Sequence, residues 1–444
     1  MKYIYLCLSF FILQGCAQKS KKIILPKQKK IVQKKVEYVH DLKEIPQNVA
    51  LYSKGINKGY IASLDKYEKM YFSPWNLNKI DTPLDNAMWA YKAFTAKNSY
   101  GENLQPLGKD FFTNMLKNSN FELYSTVNKR AITLKKLSIR AFPTIKPVLL
   151  NPEKAGEGFP FDYMQNSTIA ANKPILISHY SKDKEWAFIK SSFTFGWVKS
   201  RDIVCIQKKY TDIWQHAEQI FFIKDNVALL TPKNNFLFKS TIGTMLPLID
   251  EDSRNFKVLT IANYKLNKPY YIKSTLSKTV AHKNILQFNA KNINLIIRQL
   301  LHVNYGWGGI YNQRDCSSTL RDFFAPFGIW LPRNSYQQSK IGKVISLENM
   351  TDEEKIQTIK ENAVPFETLL YKSGHIVLYV GNYQGKIIIF QNVWGVKTKK
   401  EGAEGRFVIG KTIFSTLEVG KNLPTFDTKA SLLNNLKSMN IVTQ

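Results

Sequence analysis

The chain has 444 residues, more than one hydrophobic core usually organises, so we expect two to four domains. Lysine and arginine number 63 against 34 acidic residues, which gives a net charge of +29, and 44% of the residues are apolar. This composition excludes a disordered chain, and its charge favours an anionic lipid or an acidic polymer, although a general lysine bias would give the same excess. Zinc-finger spacing, an RNP-like aromatic string and a helix-turn-helix pattern are missing from the sequence, which argues against nucleic acid as a partner.

The cysteines and histidines exclude several kinds of site. The four cysteines are Cys7, Cys16, Cys205 and Cys316, and no two of them form a CxxC pair. A disulfide scaffold is therefore not expected, and Cys205 is interpreted as a core residue. The six histidines form no HExxH motif, so we predict neither a metal site nor a cofactor.

Residues 1–15 are predicted to be an export signal. Lys2 precedes an almost unbroken apolar run over 4–13, which is too short to span a bilayer. The run ends in Leu-Gln-Gly-Cys, which resembles the bacterial lipoprotein box. The resemblance implies cleavage before Cys16 and acylation of its thiol, and the alternative is an ordinary secretory peptide with an incidental cysteine.

Residues 16–38 are predicted to be a basic tether. The stretch 19–35 carries eight lysines and no acid, a pattern that repels itself and stays extended. It is interpreted either as a tether that touches anionic headgroups or as a solvated linker. Ala17 after the acylated cysteine would suit an outer membrane, so we expect a lipid anchor in the cell envelope that faces the periplasm.

Three structural regions are predicted between the tether and residue 288. Helical signals dominate 39–137, which we interpret as a helical brace or stabilising domain. Short alternating strands separated by turn residues follow in 138–208, where Trp186 and the Gly-Trp-Val of 196–198 resemble bacterial SH3 domains. A weaker strand pattern over 209–288 predicts a second SH3-like barrel.

The final region, 289–444, carries the candidate catalytic residues. A helix is predicted at 290–301, and a second helix follows Cys316, with Leu320, Phe323, Phe324 and Phe327 on one face. Asp315 is placed to cap that second helix. A thiol in the first helical turn feels the positive end of the helix dipole, which favours the nucleophilic thiolate, whereas a lone cysteine is more often inert and buried.

A second segment supplies a base for that thiol. Residues 373–381 and 386–392 are predicted to be the two strands of a hairpin. With a turn of three or four residues, His375 lies opposite Gln391 or Asn392. The amide oxygen of Gln391 can hold the imidazole in one tautomer, so that its other nitrogen faces the thiol.

These segments share a family pattern. Tyr-x-Trp-Gly-Gly over 305–309 and Asp-Cys-Ser over 315–317 precede Gly-His-x-x-x-Tyr-x-Gly over 374–381 and a polar residue on the next strand. The pattern resembles the NlpC/P60 family of papain-like cell-wall cysteine peptidases, especially γ-D-glutamyl-diamino acid endopeptidases with an N-terminal helical domain. It implies an α+β, multidomain fold with an N-terminal helical brace, two small SH3-like β-barrels and a C-terminal papain-like domain.

The resemblance also implies roles for individual residues. Cys316 matches the nucleophile, His375 the general base and Gln391 the third polar position. The matches to substrate-binding positions are Tyr305 and Trp307 beside the cleft, Asp315, Ser317 and Ser335 in the pocket for the amino-terminal side of the substrate, and Glu157 and Asp162 on a barrel loop. This sequence departs from the family pattern in two places: Ser318 replaces the usual glycine, and Gln391 is an amide, where many relatives have an imidazole.

The implied activity is hydrolysis of the bond between γ-D-glutamate and meso-diaminopimelate in peptidoglycan stem peptides, without metal or cofactor. Two alternatives remain open at this stage. One is a catalytically inactive wall-binding lipoprotein that works through its SH3-like barrels, and the other is an acyltransferase or amidase of the same fold. The oligomeric state is not predicted.

Overall fold

The computed structural model describes residues 38–265 and 268–444, and the side chains of 263–268 are not described. The predicted export signal, the acylated Cys16 and the tether up to residue 37 therefore lie outside the described residues. In the part of the chain that is described, no helix is both long enough and apolar enough to cross a bilayer.

Short helices recur throughout the described region before the first strand, as predicted for the helical brace. They are α1 (Asp41–Glu44), α2 (Val49–Tyr52), α3 (Leu64–Tyr71), α4 (Ser73–Asn76), α5 (Leu84–Ala87), α6 (Trp89–Ala93) and α7 (Lys109–Ser119). Their buried aromatic residues pack outward onto other regions: the ring of Trp75 lies 6.3 Å from that of Trp214, with an edge-on geometry. These helices thus depend on the neighbouring barrels for their core.

The first SH3-like unit is a seven-stranded antiparallel sheet in the order β3-β2-β6-β5-β4-β1-β7. Its strands are β1 (Lys129–Thr133), β2 (Leu137–Arg140), β3 (Gln165–Ile169), β4 (Pro174–Tyr180), β5 (Trp186–Ser191), β6 (Phe195–Lys199) and β7 (Ile203–Cys205). Strand β1 lies inside the segment that we assigned to the helical region, because it completes the sheet by pairing with β4 and β7.

The second SH3-like unit begins with α8 (Lys208–His216) and has a five-stranded sheet in the order β13-β12-β11-β8-β14, with β9 and β10 as a separate pair. Its strands are β8 (Gln219–Phe222), β9 (Ala228–Leu230), β10 (Phe236–Lys239), β11 (Met245–Glu251), β12 (Asn255–Lys265), β13 (Lys268–Ser277) and β14 (Ala281–Lys283). Its core is continuous with the buried rings of α3 and α4.

The C-terminal region packs helices against a six-stranded antiparallel sheet in the order β15-β20-β16-β17-β18-β19. Its helices are α9 (Ala290–Leu300), α10 (Cys316–Phe324), α11 (Ser335–Gln338) and α12 (Asp352–Asn362). Its strands are β15 (Lys343–Ser346), β16 (Thr368–Lys372), β17 (His375–Tyr383), β18 (Lys386–Lys400), β19 (Ala403–Thr416) and β20 (Ser438–Ile441).

Helix α10 is held against the sheet by the apolar face that the sequence predicted. Leu320, Phe323, Phe324 and Phe327 are at most 1% exposed, and they share one core with residues of α9 and with alternate residues of β17 and β18. Truncating one of these phenylalanines to alanine in such a core typically costs about 3–5 kcal/mol. The start of α10 is therefore fixed relative to β17.

The register of the β17–β18 hairpin differs from the prediction. Tyr383 pairs with Lys386 across a two-residue turn at 384–385, and Leu378 pairs with Phe390. The predicted turn of three or four residues was wrong, because a two-residue connection with Gly385 at φ 77° suffices here. A shift between Tyr379 and Gly381 marks a bulge, so His375 reaches Gln391 across a diagonal rather than from the opposite position.

Buried His179 makes the stability of the first SH3-like unit pH-dependent. Its Nε2 is 2.9 Å from the carbonyl oxygen of Ser119, and burial lowers its pKa to about 4. The unfolded chain therefore binds a proton before the folded one does, so the stability present above pH 6.5 is lost as the pH falls towards 4. The unfolding free energy of the wild type should fall between pH 7 and pH 4.5. We expect this fall to be smaller in His179→Gln by about 1–2 kcal/mol, measured by urea unfolding.

The exposed His216 on α8 provides the matched control for this measurement. His216→Gln should leave the pH dependence of unfolding as it is in the wild type. An equal change in both variants would show that His179 has no special role in it.

Candidate active site

Cys316 is the first residue of α10, and Asp315 caps that helix as predicted. The Asp315 Oδ1 accepts the backbone N–H of Ser318 at 2.9 Å, and the Ser318 Oγ accepts the backbone N–H of Asp315 at 2.9 Å. This reciprocal capping box satisfies two backbone donors at the start of the helix. The departure from glycine at Ser318 thus has a structural reason, since a glycine would leave the Asp315 N–H without this acceptor.

The state of the thiol differs from the sequence-based expectation. Cys316 is 8% exposed, and burial, reinforced by the negative charge of Asp315, raises its pKa to about 12. The backbone N–H groups of Ile376 and Ser317 and the charge of Arg333 act in the opposite direction. In the free protein burial therefore outweighs the effect of the helix terminus and favours the neutral thiol.

His375 opens β17, beside the residue that contacts the thiol. The backbone N–H that donates to the Cys316 sulfur belongs to Ile376, the next residue in the chain. Burial lowers the pKa of His375 to about 4, and the positive charge of Lys372 acts in the same direction. Cys316 thus lies against the start of β17, which His375 opens, and burial favours the neutral form of both side chains.

A chain of hydrogen bonds fixes the tautomer of His375. Ser415 donates its hydroxyl hydrogen to the carbonyl oxygen of Thr416 at 3.1 Å, so its oxygen accepts from the Gln391 Nε2 at 2.7 Å. The Gln391 Oε1 is then directed to the His375 Nε2 at 2.8 Å. An amide oxygen can only accept, so Nε2 carries the hydrogen and Nδ1 is left as the basic nitrogen.

Asp315 and Ser317 are brought to the site, but other protein groups already engage them. The guanidinium of Arg333 lies 2.5 Å from the Asp315 Oδ2 and 2.8 Å from the Ser317 Oγ, and its Nε donates to Ser167 of the first SH3-like unit at 2.7 Å. This buried ion pair holds the pKa of Asp315 below its usual value. Both residues therefore tie the helix start to the barrel.

Tyr305 and Trp307 lie where the catalytic region meets the first SH3-like unit. The indole of Trp307 donates to the backbone oxygen of Asp162 at 3.0 Å, and its ring is 5.3 Å from those of Phe161 and Tyr163. Burial raises the pKa of Tyr305, and the charge of Cys316 acts in the same direction. Tyr305 thus remains a protonated hydroxyl in the electrostatic neighbourhood of the sulfur.

The glycines after Trp307 permit this close contact. Gly308 has φ 58°, and a Cβ on it would lie 2.1 Å from the backbone oxygen of Gln165. Gly309 has φ 85° and faces Thr168 in the same way. Any side chain at these positions would push the barrel away from the catalytic loop.

The remaining predicted residues differ in their placement. Asp162 is turned away from the site: its carboxylate binds Arg140 at 2.6 Å and accepts two backbone N–H groups. Glu157 is half-buried and accepts the Tyr163 hydroxyl at 2.9 Å. Ser335 is half-buried as the first residue of α11.

Sequence reasoning missed several residues of this site. Arg333, in the segment Leu-Pro-Arg, was detectable as a cation near the capped helix. Trp394 was detectable as an aromatic residue close after Gln391, and its ring is 5.9 Å from that of Tyr305. Lys372 pairs with His375 across the β16–β17 turn. Ser415 gave no signal, because its role depends on the pairing of β18 with β19.

Family models match four parts of the chain. The NlpC/P60 stabilising domain matches residues 5–124, the SH3 domain of SH3b1 type matches 147–199, the SH3 domain of SH3b2 type matches 207–253, and the NlpC/P60 family matches 302–392. The last match contains Cys316, His375 and Gln391. The chain therefore contains an NlpC/P60 domain.

The fold resembles that of one solved structure over most of the chain. An NlpC/P60 endopeptidase from Photobacterium damselae subsp. piscicida is 24% identical with a TM-score of 0.79, over 90% of this chain and 98% of that one. An NlpC/P60 family protein from Bacillus cereus ATCC 10987 is 14% identical with a TM-score of 0.47, over 71% of this chain and 100% of that one. No curated protein sequence matches the chain.

The NlpC/P60 domain indicates a cysteine peptidase of the cell wall, and the two SH3-type domains fit the same substrate. Within the described residues 38–265 and 268–444, no group of three or more histidine, cysteine, aspartate or glutamate side chains is arranged to hold a metal ion.

The neutral thiol leads to a testable alkylation behaviour. Because burial raises the pKa of Cys316 to about 12, we expect iodoacetamide to modify it at pH 7.5 about tenfold or more slowly than free cysteine. The rate should increase with pH up to pH 10. Peptide mass spectrometry of the full chain separates Cys316 from Cys205 and the N-terminal cysteines, and Cys316→Ala provides the blank. Fast labelling that is constant from pH 5 to pH 8 would instead indicate a preformed thiolate–imidazolium pair.

Proposed function

We propose that this protein hydrolyses the bond between γ-D-glutamate and meso-diaminopimelate in peptidoglycan stem peptides, through a thioester on Cys316. The observation that carries the proposal is the chain of hydrogen bonds from Thr416 through Ser415 and Gln391 to His375, next to the thiol of Cys316. An inert core cysteine needs no oriented imidazole beside it. A cysteine peptidase does.

Acylation begins from the neutral pair. The Cys316 sulfur attacks the isopeptide carbonyl carbon while its proton moves to the His375 Nδ1. The backbone N–H of Cys316 stabilises the oxyanion, and the protonated hydroxyl of Tyr305 is a candidate second donor. The C–N bond then breaks, and the imidazolium gives its proton to the leaving amine of diaminopimelate.

Deacylation uses the same groups in reverse. Neutral His375 removes a proton from a water molecule that attacks the thioester carbonyl. The C–S bond breaks, the γ-carboxyl of D-glutamate is released, and the proton returns to the sulfur. Gln391 keeps the His375 Nε2–H in place in both halves, but as a neutral amide it stabilises the imidazolium less than a carboxylate would.

The charges around His375 favour a substrate with carboxylates. Lys372 and Arg406 have no ion-pair partner in the described part of the chain, and each is close enough to affect a neighbour: Arg406 lowers the pKa of Lys372, and Lys372 lowers that of His375. Burial is the first cause of the Lys372 shift. Stem peptides carry the free carboxylates of D-glutamate and diaminopimelate, which would balance these two cations.

Recognition of the amino-terminal side of the substrate is assigned mainly to Glu157. Asp315 and Ser317 match the family positions, but Arg333 already neutralises and occupies them. The Glu157 carboxylate is half-buried and accepts the Tyr163 hydroxyl at 2.9 Å. It forms no ion pair within the described residues, which leaves it available to a substrate ammonium group. Ser335 and Trp307 border the same side.

We also propose that the enzyme is lipid-anchored through Cys16 in the envelope, facing the periplasm, and in the outer membrane where there is one. The support is the lipoprotein-box pattern and the eight-lysine stretch that follows it. Palmitate labelling that persists in a Cys16→Ser variant would contradict the anchor.

The decisive experiment is mass spectrometry of muropeptides after incubation with the full chain. We expect the wild type to release fragments cut between D-glutamate and diaminopimelate, and Cys316→Ala to release none. Cys205→Ala, which changes the other free cysteine of the described region, should cut like the wild type. A Cys316→Ala variant that still cuts this bond would refute the nucleophile, and a wild type that never cuts would favour the wall-binding alternative.

The role of Ser415 is tested by kinetics. In Ser415→Ala the Gln391 amide loses its fixed acceptor and can rotate, so we expect kcat on a purified muropeptide to fall about tenfold, with KM little changed. Ser438→Ala, a buried serine on β20 of the same sheet, is the control.

A double-mutant cycle shows whether Ser415 acts through Gln391. Gln391→Leu should lower kcat further than Ser415→Ala, and adding Ser415→Ala to it should then have almost no effect. Independent, multiplicative losses would mean that Ser415 supports the site in some other way.

A further inference from the structure

A largely enclosed cavity of about 50 Å³ lies beneath the catalytic helix, where four regions of the chain meet. Helix α3 contributes Tyr71, the first SH3-like unit Lys136 and Lys173, the second the loop 241–244, and α10 contributes Arg321. A buried water needs about 10–15 Å³ in this measure, so the space holds several waters or one small tetrahedral ion.

The charges at this cavity do not balance. Arg314 is paired with Asp225 at 2.6 Å and with Asp322 at 2.8 Å, and Arg321 also contacts Asp322. These two arginines and two carboxylates neutralise one another. Lys136 and Lys173 then remain as two additional cations, and Asp322 is the one acidic residue in the lining.

Neither lysine has an anionic partner among the described residues. The Lys136 Nζ donates to the carbonyl oxygen of Asn312 at 3.2 Å, and the Lys173 Nζ lies 3.6 Å from the ring centroid of Tyr71. Both contacts involve neutral groups. Burial lowers the pKa of each lysine, and the nearby arginine charges add to this effect.

A third donor at the cavity is also unused. The Nη1 of Arg321 is buried and has no hydrogen-bond partner in the described structure, while the guanidinium stacks at 4.1 Å over the ring of Phe193. An unsatisfied buried charged donor costs several kcal/mol in general, so its retention calls for a ligand. Hydroxyl groups of Thr168, Ser192 and Thr241 line the same space.

We propose that this cavity binds one small inorganic oxyanion of charge near −2, sulfate or phosphate. Such an ion would stabilise the charged form of both lysines, which burial disfavours, and it would accept hydrogen bonds from Lys136, Lys173 and Arg321 together. It also fits the available volume. It would act as a structural clamp between the helical region, both SH3-like units and α10.

The bound ion would also stabilise the segment that precedes Cys316. Arg314 lines the cavity two residues before Cys316, and its carbonyl oxygen accepts the Asn392 Nδ2 at 2.8 Å and the Gly306 N–H at 2.8 Å. An anion that stabilises this segment would stabilise the position of α10. The proposal does not require the enzyme to be active.

Thermal unfolding of the full chain in HEPES buffer tests the site. We expect sodium sulfate up to about 10 mM to raise the midpoint saturably by about 2 °C or more, beyond sodium chloride at the same ionic strength. Saturation separates a site from the general stabilising effect of sulfate, which increases steadily with concentration. Phosphate should act similarly if the charge and shape of the oxyanion are what is recognised.

Variants of the lining residues test whether the sulfate-induced rise in the unfolding midpoint comes from this cavity. Lys173→Met should abolish the saturable rise, and without sulfate it should unfold no earlier than the wild type, because one repelling charge is gone. Arg321→Lys, which keeps the charge but removes the unpartnered Nη1, should weaken the response if Lys173→Met does not fold. Lys69→Met on the exposed face of α3 is the control. A sulfate response no larger than that to chloride, or an undiminished response in Lys173→Met, would overturn the proposal and leave a cavity filled with water.

Discussion

The buried carboxylate of Asp315 is the interaction on which the geometry of the site depends. It caps α10 through Ser318, pairs with Arg333 and accepts the N–H of Gly308 at 3.2 Å. One side chain therefore holds three neighbouring segments of the chain together, beside Cys316. Removing one partner of such a buried pair typically costs about 3–5 kcal/mol, since the other charge is left uncompensated. The same negative charge disfavours a thiolate at Cys316. The residue that fixes the start of α10 therefore also makes the sulfur harder to ionise.

Burial decides how the catalytic pair can work. An exposed thiol at a helix start would gain thiolate character, but Cys316 and His375 are both shielded, and shielding favours the neutral form of each. In the proposed mechanism, proton transfer then occurs as the sulfur attacks, when the positive imidazolium and the negative oxyanion form together and stabilise each other. Under this scheme the fixed tautomer of His375 matters more than its basicity. That is consistent with a neutral third residue, Gln391, supported in turn by Ser415.

The sequence was most informative where one local pattern determines the structure. The apolar stripe of α9, the cap at Asp315 and the buried face of α10 follow from spacing alone, and the structure confirms them. Contacts made across the sheet were not accessible in this way. The two-residue turn at 384–385 and the bulge near Tyr379 shifted the register of His375, and Asp162, predicted at the substrate pocket, binds Arg140 instead. Both outcomes depend on partners far away in the chain, which a single sequence does not reveal.

The first SH3-like unit is built into the catalytic site rather than tethered beside it. Its Ser167 binds the arginine that holds Asp315, its Asp162 carbonyl receives the indole of Trp307, and its Gln165 backbone contacts Gly308 so closely that no side chain fits there. A domain that only delivered the enzyme to the wall would need none of these contacts. The loop that carries Glu157 and Phe161 belongs to this unit, so the barrel supplies the residue to which we assign substrate binding. Changes in the barrel should therefore alter catalysis as well as wall binding, and the two functions share one folded unit.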